Sequence, residues 1–501
     1  MMTDSEQCLY GAVAKRRKVA EISPCDLPMD ILSTILSLLP INDAIRTSVL
    51  SKKFKFVWCS HTNLTFNKCT LRKTYFRPSK GYFQALYDKE FITRVDTILH
   101  QHSGTGVELM EIRFLLESKH ADHIDSWISF AIASKTKEFV VNVSGTSRYG
   151  FVSFWDGQMR RLVREPYSLP SQFFSPNNGS HLQCLELWSV SLQLPSDYKG
   201  FLNLKSLTLV DVSITNEDVQ CMLSKCNLLE FFEIAYCRNV TSIRMLHPLD
   251  RLMHLVVDVC AKLKEIELNC GLATLKYTGI VVPLVFASTS KLTNINVAIR
   301  QEKMLNQSAL SYMITGFPAT LPRLEALTLF CYERERTIVP ERPFKFTYLR
   351  NLRLELIILG KEIRTTDVLD YAHLLKIAPF METMELIMFM SCWHRPYCKA
   401  DGELRIGLPH QHTHLQNVRI SGFFGHKEQV ELALHILRSS IVLKKMDITP
   451  KLEITRIASR DSKYQQHYED GHRVATEFVC KADHHNVVNV VGVLAQTAME
   501  A

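Results

Sequence analysis

An apolar triplet spaced L-x-x-L-x-L recurs from residue 182 onward and constrains the fold more than any other feature. It reads LQCLEL from Leu182, LKSLTL from Leu204, LEFFEI from Leu229 and LMHLVV from Leu252. It continues as LATLKY from Leu272, LTNINV from Leu292, LEALTL from Leu324 and LRNLRL from Leu349. Weaker versions follow: METMEL from Met381, LQNVRI from Leu415 and LKKMDI from Leu443. The starts fall 20 to 34 residues apart. Alternating apolar residues make a strand with one buried face, and a unit that short cannot cover the face by itself. Neighbouring units must cover it, which predicts a solenoid with one short parallel strand per coil. The wider intervals require insertions or degenerate units.

Between triplets the pattern turns helical. In TNEDVQCMLSKC, residues 215–226, Thr215 is placed to cap while Val219, Met222 and Leu223 share a face. In HKEQVELALHILRSS, residues 426–440, Val430, Ala433, Leu434 and Leu437 do the same. An extra triplet, LKEIEL from Leu263, falls inside one coil and reads as a strand on the convex side or a register ambiguity. Upstream, VELMEIRF and KEFVVNV flank the helical DHIDSWISFAIAS and look like atypical early coils. An ordinary α/β sheet also alternates strands and helices, but eleven recurrences argue for the solenoid.

Composition narrows the function classes. With 59 basic and 51 acidic residues over 501, the net charge of +8 does not by itself predict nucleic-acid binding. The 14 cysteines are scattered without a Cys-x-x-Cys pair, which fits a reducing, intracellular setting. No apolar run is long enough for a secretory signal or a membrane span. Lys15-Arg16-Arg17-Lys18 is a basic cluster that fits nuclear import or a solvated tail, so nucleus and cytoplasm are the expected compartments.

The other dense apolar region is DLPMDILSTILSLLPINDAIRTSVLSKKFKFVW, residues 26–58. Pro28 suits a first helical turn. Ile31, Ile35, Leu38 and Leu39 form one stripe, with Leu32 and Leu36 beside it. Pro40 ends the helix, Asn42 is placed to cap the next, and Ala44, Ile45 and Val49 give that helix its buried side. Ser51 suits the cap of a third short helix ending near Trp58. Some forty residues are too few for an independent core, so the surplus stripe needs a cover. Periodicity alone leaves open whether that cover is another protein or the rest of this chain.

Residues 23–65 resemble an F-box of the form common in plants. The matching elements are Leu27-Pro28, Ile31, Ile35-Leu36-Ser37, Leu39-Pro40, Asp43-Ala44, Arg46-Thr47-Ser48, Leu50-Ser51-Lys52 and Trp58. KKFKFVW departs from the usual arginine and tryptophan before the last aromatic, though Phe54 and Phe56 keep the bulk. The segment FLNLKSLTLVDVSITNEDVQCMLSKCNLLEFFEI resembles the repeats of plant F-box/leucine-rich-repeat proteins. HTHLQNVRISGFFG with ELALHILRSSIVLKKMDI is similar to the FBD-type ending of that group. The implied fold is α/β, an N-terminal F-box three-helix module followed by a leucine-rich-repeat solenoid. The expected order is a basic tail (1–22), the F-box (23–65), a linker (66–104) and the solenoid (105–450, FBD-like from about 380). An extension over 451–501 completes it.

The resemblance implies a substrate-recognition subunit of an SCF-type cullin–RING ubiquitin ligase. A Skp-type adapter would bind through Leu27, Pro28, Ile31, Leu32, Ile35, Leu36, Leu39, Pro40, Val49 and Trp58, while Arg46, Lys52, Lys53 and Lys55 face solvent. A target protein would bind the strand positions between the leucines. That register exposes Glu186, Trp188, Lys205, Glu233, His254, Glu325, Phe330, Arg353, Glu355 and Arg419. Trp188 and Phe330 are the candidate anchors, since buried aromatics and arginine dominate interface energetics. A ligase-independent scaffold with a degenerate F-box is the alternative.

No catalytic motif is present: no G-x-x-x-x-G-K-[ST], no H-E-x-x-H and no G-x-S-x-G. The chain is therefore read as a non-catalytic binding protein without cofactor. CWHRPYC (392–398) and HQHTH (410–414) hold potential zinc ligands, but their spacing does not fit a zinc site. There, His412 and His414 read as one exposed and one partly packed residue. Residues 454–474 read as polar and loosely ordered. VVNVVGVLA, residues 487–495, is expected to pack on the solenoid end.

Overall fold

A computed structural model describes residues 27–50, 52–54, 56–71, 81–144, 166–175, 181–245, 247–287, 290–299, 309–333, 345–358, 367–390, 395–405, 411–452 and 464–492. Its backbone is one fifteen-stranded parallel sheet in which spatial order follows chain order. The strands are β1 (Asn63–Phe66), β2 (Leu109–Arg113), β3 (Glu138–Asn142), β4 (Cys184–Trp188) and β5 (Ser206–Val210). Then come β6 (Phe231–Ala235), β7 (His254–Asp258), β8 (Thr274–Gly279), β9 (Asn294–Ile299) and β10 (Ala326–Glu333). The series ends with β11 (Asn351–Ile358), β12 (Thr383–Met390), β13 (Asn417–Ser421), β14 (Lys445–Thr449) and β15 (Val488–Val490).

All eleven triplets become consecutive strands, β4 to β14, in one register. Leu185 lies opposite Leu207, then Phe232, Leu255, Leu275 and Ile295 along the sheet. The ladder continues through Leu327, Leu352, Met384, Val418 and Met446. These side chains are buried in one continuous core. A one-residue slip would turn every leucine to the opposite face, so burial fixes the register. LKEIEL forms Glu265–Leu268, in a separate three-stranded sheet with Ser242–Arg244 and Leu284–Phe286.

The helices are α1 (Met29–Ser37), α2 (Ile41–Arg46), α3 (Gly81–Gln101), α4 (Ala121–Ala133) and α5 (Asn216–Lys225). They continue as α6 (Ala309–Thr320), α7 (His373–Ile377), α8 (Lys427–Ser439) and α9 (Gln465–Val474). In α5, Thr215 Oγ1 accepts from Asp218 N–H at 3.1 Å, the cap expected, and Val219, Met222 and Leu223 are buried. Helix α6 packs on the leucine face: Leu310, Met313 and Ile314 line a small apolar gap with Leu327, Leu329 and Leu352. Residues 66–104, read as a linker, contain the 21-residue α3, whose Phe91 stacks on Phe114 beyond β2 with ring centroids 4.0 Å apart.

Four successive coils leave the sheet through a left-handed residue: Ser189 (φ 56), Asp211 (φ 54), Tyr236 (φ 57) and Val259 (φ 49). No glycine marks these turns, so the sequence gives no signal of them. At the far end, Val488–Val490 of VVNVVGVLA pairs with β14 as the last strand. Of residues 454–474, those before 464 lie outside the described residues and Gln465–Val474 is helical.

Candidate interaction surfaces

Helix α1 has two apolar faces with different fates. Leu32 and Leu36 are buried with Ile41, Ala44, Phe54, Val57 and Trp58. Leu32, Leu36 and Trp58, expected as adapter contacts, instead build the small core that the outer residues stand on and present almost no surface in this chain. Ile31 (44% exposed), Ile35 (45%), Leu38 (81%), Leu39 and Pro28 face outward, with Leu27 half-buried and Pro40 exposed. Val49 is 87% exposed, Leu50 and Phe56 are also exposed, and so Val49 gives α2 no buried side. Leu38, Leu50 and Phe56 join the surface although they were not among the expected contacts. Helical spacing finds both stripes of α1, but only packing says which one is covered.

Capping differs from expectation. Helix α2 begins directly after Pro40 without a side-chain cap. Asn42 Nδ2 instead donates to the Cys69 carbonyl at 3.0 Å, tying α2 to the end of the first coil. Of the basic residues, Arg46, Lys52 and Lys53 are exposed, and Lys55 and Ser51 lie outside the described residues. The third helix is a single 3-10 turn, Val57–Ser60.

The module is held to the sheet by a buried imidazole. His61 Nδ1 accepts from Asn63 N–H at 3.1 Å. Its Nε2 therefore carries the proton and donates to the Leu36 and Leu39 carbonyls, 3.2 and 2.9 Å away. Leu36 O, which also accepts Leu39 N–H at 3.0 Å, and Leu39 O lie at and just beyond the C-terminal end of α1, so His61 fixes where α1 sits on β1.

The other candidate surface is the sheet face opposite the leucines. Glu186, Thr208, Glu233, Val256, Lys276 and Asn296 lie in one lateral row across β4 to β9. Thr328, Arg353, Glu385, Arg419 and Asp447 continue it. Many of its charges are spent within the chain. Glu186 meets Arg113 at 3.2 Å and accepts from Trp188 Nε1 at 2.6 Å. Arg353 bonds Glu355 at 2.9 Å and also reaches Glu385. Burial opposes the charge on Arg353, yet the hydrogen bonds and charges of Glu355 and Glu385 raise its pKa. Burial likewise acts to raise Asp447, but bonds from Lys445 (2.7 Å) and Asn489 (3.0 Å), with the charge of Arg419 nearby, hold it below the usual carboxylate range.

Trp188 and Phe330 are not exposed anchors. Trp188 (1% exposed) packs with Val210, Ala235, Tyr236 and Val259. Phe330 (5%) packs with Ala298, Ile357, Ile387 and Leu452. Both stand at the fifth strand position, with an apolar in-register neighbour on one side (Val210 for Trp188, Ala298 for Phe330) and a polar one on the other (Asn142 and Glu355). Strands about 4.8 Å apart bring the apolar neighbours into contact. Glu233 and Glu355 are buried as well. Glu325, Lys205 and His254 are exposed, and Glu186, Arg353 and Arg419 are half-buried.

His412 is buried, donating Nε2 to the Ala378 carbonyl (3.1 Å) and accepting Leu415 N–H on Nδ1 (3.0 Å). His414 is half-buried against Phe380. The pair is thus a turn clip rather than one exposed and one packed residue. Cys392, His394 and His410 lie outside the described residues. Among the described residues no cluster of three His, Cys, Asp or Glu could hold a metal, and no helix is long and apolar enough to cross a membrane.

Residues 24–66 match the F-box domain family, and residues 98–487 match the leucine-rich-repeat domain of At1g61320/AtMIF1. The chain is 24% identical to the F-box/FBD/LRR-repeat protein At1g13570 of Arabidopsis thaliana, over 85% of this chain and 91% of that relative. It is also 24% identical to the Arabidopsis FBD-associated F-box protein At1g61320, over 87% of this chain and 89% of that relative.

Proposed function

The chain belongs to the plant F-box/leucine-rich-repeat family of At1g61320/AtMIF1, and from that premise we propose that it is a substrate receptor of an SCF-type ubiquitin ligase. The observation that carries the reading is the split of α1 into a buried and an exposed apolar face. Pro28, Ile31, Ile35, Leu38 and Leu39 stand in water although the helix beneath them is fully packed. An exposed apolar stripe of this kind, on a module already satisfied from below, fits a protein partner. A Skp-type adapter is the partner the F-box implies, joining the chain to a cullin–RING scaffold.

In this reading the chain performs no bond chemistry. It holds a target protein while other subunits transfer ubiquitin, raising the effective concentration of a target lysine near the charged carrier. The target contacts proposed are those with accessible surface, His254 on the sheet face and Lys205 and Glu325 just before β5 and β10, with Glu186, Arg353 and Arg419 half-buried on that face. Nuclear import through Lys15-Arg16-Arg17-Lys18 is part of the proposal, although these residues lie outside the described ones.

Co-purification with a plant Skp-type adapter tests it, beside a Leu27→Ala, Pro28→Ala, Ile35→Ala variant. Capture by the wild type and loss in the folded variant support the receptor. A folded wild type that captures none of several adapters sinks it and leaves the scaffold reading, in which the divergent KKFKFVW end no longer recruits a ligase.

A further inference from the structure

The residue immediately before each triplet stands on the edge where the chain runs into the sheet. Main-chain bonds two residues further on keep these positions in line from coil to coil. They run from Glu325 N–H to Thr293 O (2.9 Å), Arg350 to Glu325 (2.8 Å), Glu382 to Arg350 (2.8 Å), Gln416 to Glu382 (2.9 Å) and Lys444 to Gln416 (2.8 Å). The row changes character halfway along the sheet.

Its first part is cationic: Arg251, Lys291 and Arg323 are exposed, and among the described residues none is ion-paired. Gly271 fills the place between Arg251 and Lys291. A Cβ there would lie 3.5 Å from Lys291 Nζ, an ordinary contact distance, so the ammonium lies along the edge beside Gly271. Among the described residues, the bond of Arg323 is a long one, 3.4 Å, to the Ser290 carbonyl. Asp250 and Glu325 stand nearby without pairing with these cations.

The second part is apolar and exposed: Tyr348 (53%), Phe380 (39%) and Val442 (39%), with Ile441 (60%) beside it. Phe380 stacks edge-on against His414, ring centroids 5.0 Å apart, and carries the Arg350 guanidinium 5.9 Å above its ring. Arg350 is itself held by Glu382 at 2.9 Å. The Phe380 ring is thus fixed in place while its outer surface remains in water.

We propose that this edge docks an extended polypeptide segment of a partner protein. Its carboxylates would lie over Arg251, Lys291 and Arg323, and its apolar or aromatic side chains over Tyr348, Phe380 and Val442. Dimensions fit: Arg251 and Val442 belong to β7 and β14, seven strand steps apart. At about 4.8 Å per step this is about 34 Å, the length of about ten extended residues. A second copy of this chain fits poorly, because two such edges would set cations against cations or rings rather than carboxylates. The row is one residue wide per coil and is bordered by the Arg350–Glu382 pair, which suits a strand-like segment better than a lipid surface. This surface is separate from the α1 face and does not depend on the ligase reading.

The test uses the full chain and two fluorescein-labelled twelve-residue peptides, four alternating Glu and Asp followed by alternating Leu, Phe and Ser, and the reversed order. A shuffled peptide of the same composition is the control. Anisotropy should show one orientation binding at least ten-fold tighter than the shuffled peptide. A Lys291→Glu, Arg323→Glu variant and a Tyr348→Ser, Phe380→Ser variant should each weaken it at least ten-fold. The charge-reversed variant alone should lose its remaining dependence on salt. All four substitutions are on exposed positions, and unchanged thermal unfolding and circular dichroism would show that the fold is intact. Binding equal to the shuffled peptide, no binding in either orientation, or unaffected variants would overturn the proposal. So would capture by anionic vesicles, lost in the charge-reversed variant, in place of peptide binding.

Discussion

His102 donates its Nε2 proton to the main-chain carbonyl of His61 at 2.9 Å, and both imidazoles are buried. His102 Nδ1 accepts the Gly104 N–H at 3.0 Å, so the neutral ring is fully used. The two histidines form a relay from α3 through β1 to the end of α1. The position of the F-box on the sheet is therefore written in hydrogen bonds that need neutral imidazole.

Burial pushes the His102 pKa below its ordinary value, outweighing the bond to His61, and burial also lowers His120 against the charge of Asp88. A depressed histidine pKa means that the unfolded chain binds more protons than the folded one in the window below about 6.5. The contribution is therefore complete above that value and lost as pH falls toward the folded pKa. Thermal unfolding measured from pH 7.5 to 5.0 should show falling stability. His102→Gln should be less stable at pH 7.5 but show a shallower decline, and an unchanged slope would remove His102 from this account.

Ile35 and Leu36 are adjacent and should separate binding from folding. Leu36→Ala removes a buried side chain and should cost about 2–5 kcal/mol, read by chemical denaturation. Ile35→Ala, on the exposed face, should stay within about 0.5 kcal/mol of wild type while weakening adapter capture. Equal destabilisation by the two would mean that α1 packs the other way round.

Glu431 in α8 and Arg405 predict an asymmetry. The Glu431 side chain is fully buried, accepting from Arg405 N–H (2.9 Å) and Nε (2.8 Å), while Arg405 is half-exposed and also bonds Asp367 (2.5 Å). Removing the cation strands a buried carboxylate, so Arg405→Ala should cost about 3–5 kcal/mol. Glu431→Gln keeps the shape and leaves Arg405 with Asp367 and water, so it should cost about 1–2 kcal/mol. Urea unfolding of both variants checks the order.

Gly471 in α9 lies against the main chain after β13. A Cβ there would sit 1.9 Å from the Phe423 carbonyl oxygen, so Gly471→Ala must lift α9 off the sheet. Hydrogen exchange should rise selectively in residues 464–492, with β4 to β10 unchanged. A uniform response would show that this end is not a separate cooperative unit.

The solenoid was legible because its physics is local and repeated. Leu185, Leu187 and their counterparts carry the same pattern eleven times, and one buried face per strand leaves a single register. The capping Thr215 and the two stripes of α1 were equally readable, since each depends on residues within one or two turns. Trp188 and Phe330 were not. Their burial comes from Val210 and Ala235 in one case and Ala298 and Ile387 in the other, neighbours supplied by other coils. The same holds for Leu32 and Leu36, which a helical wheel cannot tell from Ile31 and Ile35. The row from Arg251 to Val442 also needed coils from distant parts of the chain brought into line. Periodicity thus determined that this chain coils, where its strands lie and which residues point to the core. Which apolar faces stay in water was decided by tertiary packing, because exposure depends on what another segment places on top.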